Sequence, residues 1–143
     1  MLLPDVNIFV FAFRREAERH QEYRSWLTEC LAGDEPVGVS EVVLSSLVRI
    51  TTNHRVFTRP TSLADALAFC DAVLRSPMAL PVRAGPRHWG LFTGLCTAGR
   101  ATGNLVPDAY LAALALEQGA TLVTDDRGMH RWPGVAVRHP IDG

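Results

Sequence analysis

Four acidic residues, Asp5, Glu41, Asp108 and Asp126, stand where a repeated strand–helix pattern would bring them together. Asp5 ends a short apolar run, Leu2-Leu3-Pro4. Glu41 follows a second, Val37-Gly38-Val39, and opens a helix. Asp126 follows a third, Leu122-Val123-Thr124, and Asp108 opens the helix that leads back to it. Taken singly, each is explained by the preference for acids in a first helical turn, where free N–H groups and the helix dipole favour negative charge. Taken together they imply chemistry. Carboxylates gathered within a few ångströms repel, and protein groups alone rarely neutralise them. A hard divalent cation does. Oxygen donors without His or Cys at ligand spacing favour Mg²⁺ or Mn²⁺ over Zn²⁺. Water activated beside such a cation attacks phosphorus, so the chemistry implied is phosphodiester hydrolysis.

Several neighbours are candidates for supporting roles. Asn7 is placed to bond a carboxylate or the substrate, and equally to cap the first helix. Thr124 is positioned to offer a hydroxyl near the cation. Asp125 competes with Asp126, and because neighbours in an extended segment point opposite ways, only one of them reaches the site. Arg49 and Arg55, with Arg59 and His54, are candidate RNA-phosphate contacts, or cations at a helix C-terminus. Glu41 and Arg49 lie two helical turns apart, ~12 Å, too far for a direct pair. His88, Trp89 and Trp132 are either base-stacking groups or packing residues.

The elements that must position these residues follow from the hydrophobic pattern. The spacing predicts strands at Leu2–Leu3, Val37–Val39, Met78–Val82, Thr121–Thr124 and Val135–Val137, with Pro81 marking the third as short or at an edge. Helices are predicted around Ile8–Phe11, over Arg14–Leu31, from Ser40 as cap through Ile50, from Ser62 to Arg75, over Pro86–Ala98 and over Pro107–Gln118, the last closed by Gly119. Alternating strands and helices imply an α/β fold, a mainly parallel sheet of about five strands covered on both faces. Ligands of such sheets sit beyond the carboxyl ends of the strands, and that rule selects the four acids.

Composition excludes other chemistries. The 143 residues suit one domain, 1–143, with 48% apolar and 20% charged residues and a net charge of −1. No global field draws the chain to polyanions, so any such site is local. All 14 basic residues are Arg. Without Lys there is no phosphate-binding loop of the Gly-Lys-Ser/Thr type and no Schiff base. Cys30, Cys70 and Cys96 are odd in number and far apart, which argues against disulfides and structural zinc and for a reducing compartment. The opening residues make a poor secretion signal and no apolar run approaches ~18 residues, so the expectation is a cytoplasmic protein away from membranes.

Leu-Leu-Pro-Asp5-Val-Asn7, Ser40-Glu41, Leu47-Val48-Arg49-Ile50-Thr51 with Arg55-Val56-Phe57, Gly103-Asn104-Leu105-Val106-Pro107-Asp108-Ala109 and Leu122-Val123-Thr124-Asp125-Asp126-Arg127 resemble, in order and spacing, the motifs of PIN-domain proteins, in particular VapC-type toxins of bacterial toxin–antitoxin pairs. The resemblance covers essentially the whole chain. It implies a three-layer α/β/α fold and a Mg²⁺- or Mn²⁺-dependent endoribonuclease acting on structured RNA such as tRNA. It also implies a homodimer and inhibition by a VapB-type antitoxin. By resemblance Asp5, Glu41, Asp108 and Asp126 are the metal ligands. One departure stands out: Gly128 and Met129 occupy the places where many relatives carry a further Asp and a Phe. The alternatives are a non-catalytic PIN-fold module that pairs with an antitoxin in operator regulation, and a flap-type DNA nuclease, for which 143 residues leave little room.

Overall fold

The computed structural model describes residues 1–143. Strand β1, Leu2–Pro4, is followed by helices α1, Val6–Phe13, and α2, His20–Leu31. Strand β2, Val37–Ser40, leads into α3, Glu41–Thr51, and α4, Leu63–Leu74. Strand β3, Ala79–Val82, leads into α5, His88–Gly99, and α6, Leu105–Gln118. Strand β4, Thr121–Val123, a 3-10 turn, Arg127–Arg131, and strand β5, Val137–Arg138, complete the chain.

The sheet order is β3-β2-β1-β4-β5 and every pairing is parallel. From β1 the chain moves outward twice, through β2 to β3, then crosses back to β4. Right-handed crossovers therefore place α1–α4 on one face and α5–α6 on the other. The packing agrees: α1 contacts α2 and α3, α3 contacts α4, and α5 lies on α6. This is the expected three-layer α/β/α fold. Pro81, opposite Val39, lies in an edge strand, where its missing N–H costs no ladder bond. Phe9, Leu3, Leu47, Leu114, Leu122 and Trp132 are among the fully buried side chains that join the layers.

Helix α6 is buried at five consecutive positions, Leu111 to Ala115, so it touches protein on most sides. Its Ala residues let it lie close to both the sheet and α5, and Gly119 ends it in the left-handed conformation at φ 62°. Ser62 caps α4 as its sequence suggests, its Oγ accepting from the Asp65 N–H at 3.1 Å. Ser62→Ala is expected to lower stability by about 1 kcal/mol, read as a shift in the denaturant midpoint at unchanged slope.

Three local expectations need correction, and one element was not expected. Residues 14–19 do not belong to α2. Arg14 is extended, and its guanidinium donates to Thr61 Oγ1 at 2.7 Å and to the Arg59 carbonyl at 2.8 Å, tertiary bonds that a helical position would forgo. Ser40 occupies the cap position of α3, but it is buried in β2 and its hydroxyl makes no capping bond. Strand β5 begins at Val137 rather than Val135, because its ladder partners are Leu122 and Val123. The 3-10 turn after Asp126 carries no apolar periodicity and had no signal in the pattern.

Candidate active site

β1 pairs with β2 on one side and β4 on the other, and the chain leaves these strands toward opposite faces. The crevice beyond the carboxyl ends of β1 and β4 is thus the switch point where open α/β sheets bind ligands. Asp5 and Thr124–Asp126 border it. The Asp5 N–H donates to the Val123 carbonyl at 2.8 Å, which fixes the two strand ends together.

Thr124, buried to 3% exposure, is the hub. Its hydroxyl donates to Asp5 Oδ2 at 2.9 Å and accepts from Asn7 Nδ2 at 3.3 Å and from the Asp126 N–H at 3.1 Å. Asp5 Oδ1 accepts from the Val6 N–H at 2.7 Å and so caps α1. Asn7 therefore serves the site rather than the cap, with its Oδ1 also 3.5 Å from the Asp125 N–H.

Burial pushes the Asp5 carboxyl above the usual range, against its bonds to Thr124 and Val6, and the Asp126 charge adds to the rise. Asp108, on the first turn of α6, is pushed up to about 6, first by burial and then by the Asp5 and Asp126 charges, while Arg131 pulls it down. Asp5, Asp108 and Asp126 thus form one mutually repelling acidic cluster. No three His, Cys, Asp or Glu side chains are drawn into a finished ligand cage. The oxygen-only donor set and its unrelieved repulsion are nonetheless what a hard divalent cation fits.

Asp125 points the other way. Its Oδ1 accepts from the Tyr23 hydroxyl at 2.6 Å and lies 2.8 Å from His139 Nε2, and the Tyr23 bond leads in holding its carboxyl low. Asp126, by contrast, keeps company with Asp5 and Asp108, and its Oδ1 accepts from the Gly128 N–H at 2.8 Å. Glu41 lies at the same sheet edge, but its side chain is exposed and turned to Arg83 Nη2 at 2.7 Å. Arg49 and Arg55 are both exposed and share no bond or ion pair with the acids. His88 and Trp132 are buried packing groups, whereas Trp89 is 70% exposed.

Arg83 and Arg131 carried no reading in the sequence, Tyr23 read only as an apolar helix residue, and His139 as a histidine without ligand spacing. Arg83 had a usable signal, since it follows β3 at the edge where Glu41 follows β2. Tyr23 showed only its apolar ring, on the buried face of α2.

The PIN domain family model matches residues 2–135. Ribonuclease VapC43 of Mycobacterium tuberculosis is 45% identical over 143 residues, 100% of this chain and 97% of that protein. Ribonuclease VapC25 of the same organism is 42% identical over 142 residues, 99% of this chain and 100% of that protein. Among solved structures, VapBC2 from Rickettsia felis bound to a promoter DNA fragment aligns with a TM-score of 0.72 at 21% identity, covering 96% of this chain and 97% of that one. With matching sequence over nearly its full length and acids gathered at the β1/β4 switch point, the chain belongs to the PIN-domain family, among its VapC-type members.

Proposed function

We propose that the chain is a metal-dependent endoribonuclease toxin that hydrolyses phosphodiester bonds of structured RNA and is inhibited by a VapB-type antitoxin. The observation that carries this reading is the gathering of Asp5, Asp108 and Asp126 at the β1/β4 switch point, close enough that burial and the other two charges push the Asp108 carboxyl above its usual range. A fold does not keep three repelling acids at a ligand-binding crevice for stability. Asp5, Asp108 and Asp126 would hold Mg²⁺ or Mn²⁺. Glu41 would join them once its exposed bond to Arg83 opens. A cation bound there supplies positive charge opposite the phosphate and makes a nearby water more acidic.

The chain's own residues fix the geometry. Thr124 orients Asp5 and the Asp126 backbone at once, Asn7 steadies Thr124, and the Asp125–Tyr23–His139 contacts hold the loop from behind. The burial around Asp5 keeps most water from its carboxyl, which strengthens the charge interactions it makes.

The same reading includes a homodimer and the antitoxin. Trp89 leaves apolar surface on α5 for a second copy. An open groove of about 1120 Å³ away from the acids holds the Arg14–Glu16 ion pair and Asp65, and beside them presents Phe13, Val56, Phe57 and Phe69 with Arg15 and Arg59, a lining suited to an apolar peptide bearing an acidic residue.

The test is incubation of partner-free protein with total small RNA in Mg²⁺, Mn²⁺ or EDTA, beside Asp5→Ala. Discrete fragments with 5′-phosphate ends are expected in either metal, and none in EDTA or with the variant. RNA left whole in both metals, by protein with an intact thermal transition, points instead to the non-catalytic binding module.

A further inference from the structure

The turn that follows Asp126, Arg127-Gly128-Met129-His130-Arg131, is built against that carboxylate. Asp126 Oδ1 accepts from the Gly128 N–H, and a Cβ at Gly128 would sit 3.0 Å from the same oxygen, so glycine permits the close approach. Met129, 1% exposed, pins the turn to the core. The basic residues around it are left on the outside.

Arg131 is committed. Its Nη2 lies 3.4 Å from the Gly99 carbonyl, and its guanidinium sits 5.4 Å from the centroid of the Trp132 ring. Arg127 and His130 are different: neither side chain makes a hydrogen bond or an ion pair. Both line a cleft of about 360 Å³ that also includes Thr124 and Asp126. Across it stand His139 and Asp142, which already have partners: His139 Nε2 lies on Asp125, and Asp142 takes both Arg19 Nη atoms at 3.0 and 3.1 Å. The side chains of this cleft that lack a bonded partner, Asp126 apart, are therefore the Arg127 guanidinium, whose charge also acts on Asp142, and the His130 ring; Val137 and Gly143 complete a lining that opens directly beside Asp126.

We propose that this cleft seats a backbone phosphate of the RNA strand adjacent to the one being cut, with Arg127 and His130 as its donors. The inference rests on the ribonuclease reading and deepens it by assigning positioning residues for the substrate. A guanidinium fork suits a non-bridging phosphate oxygen pair, and the sequence-independent backbone contact fixes which phosphodiester reaches the acids.

The experiment uses the full chain carrying Asp108→Asn, so that RNA is bound but not cut. Anisotropy of a fluorescein-labelled, mixed-sequence 20-nucleotide RNA is followed in Mg²⁺ across a salt series. Adding Arg127→Ala is expected to weaken binding about 5–10-fold at ~0.1 M salt and to flatten the slope of log affinity against log salt by about 0.7, the loss of one phosphate contact. Arg127→Lys keeps the slope, and Arg75→Ala, on the opposite edge of the sheet, changes neither. In the otherwise wild-type chain, Arg127→Ala with His130→Ala is expected to raise KM for RNA cleavage and to spread the cuts over neighbouring phosphodiesters. An unchanged slope, or an equal loss with Arg75→Ala, overturns the cleft assignment and leaves the ribonuclease standing. RNA neither bound by the Asp108→Asn chain nor cut by the wild type overturns both.

Discussion

Asp108→Asn is expected to cripple RNA cleavage, yet to melt at a higher temperature than the wild-type chain when metal is chelated. The two effects have one cause. Asp108 is displaced from 3.8 to about 6, chiefly by burial and then by Asp5 and Asp126. That displacement corresponds to about 3 kcal/mol of unfavourable charge, which the side chain's partial exposure screens to about 1–2 kcal/mol. The folded chain holds this proton more tightly than the unfolded chain. The contribution of Asp108 to stability is therefore intact below about pH 4 and lost as pH rises through about 6. Asn at 108 escapes the loss. In EDTA the variant should melt roughly 3–8 °C above wild type at pH 7.5, and the gap should close by pH 4. Mg²⁺ should raise the wild-type melting temperature and leave the variant nearly unmoved. Cleavage should fall by about 10²–10³-fold or more, the scale for losing one transition-state-stabilising group, here the cation that Asp108 would help to hold. A variant that melts below wild type at pH 7.5 in EDTA would show that Asp108 is not strained.

Thr124→Val costs both stability and activity, without changing any charge. Valine fills the same volume, but the buried hydroxyl of Thr124 serves three partners. Its loss removes the hydroxyl bond to Asp5 Oδ2 and leaves the Asp126 N–H without its acceptor. At about 1 kcal/mol per bond, with a penalty for groups stranded away from water, the expected loss is about 2–3 kcal/mol. Asp5 and the loop bearing Asp126 are then free to drift, and a displacement of about 1 Å in a catalytic group costs about 10²-fold in rate. Thr124→Ser keeps the hydroxyl and is expected to restore most of kcat/KM and of the melting temperature. Equal deficits in Ser and Val would show that the methyl group, not the hydroxyl, matters.

The strands and helices were legible because each carries apolar residues at its own period and is punctuated by Pro, Gly or a capping side chain. Asp5, Asp108 and Asp126 were legible because parallel topology sends the residues after β1 and β4, and the start of α6, to one edge. The choice between Asp125 and Asp126 was not, since alternation says only that they diverge. It took Tyr23 from α2 and His139 from beyond β5 to claim Asp125. Glu41 illustrates the complementary limit. Its backbone position follows from topology, but the exposed bond to Arg83 depends on a neighbour 42 residues away. The break at residues 14–19 has the same origin, because Arg14 ends α1, its N–H on the Val10 carbonyl, while its guanidinium reaches across to Thr61 and Arg59. Local pattern cannot report interactions made across the fold.

The position of β1 in the middle of the sheet also sets the timing of synthesis. The first strand made cannot gain its β4 partner until Thr121–Val123 have been translated. Asp5 likewise waits for Thr124, 119 residues downstream. At bacterial elongation rates that interval is roughly 6–24 s. By the time β4 begins, Asp5 and Asp108 have been made, but Thr124, which orients Asp5, and Asp126 have not. Assembly of the site thus waits on β4 and the loop after it, and a chain that stops short of Thr121 has neither the sheet partner of β1 nor the hydroxyl that orients Asp5.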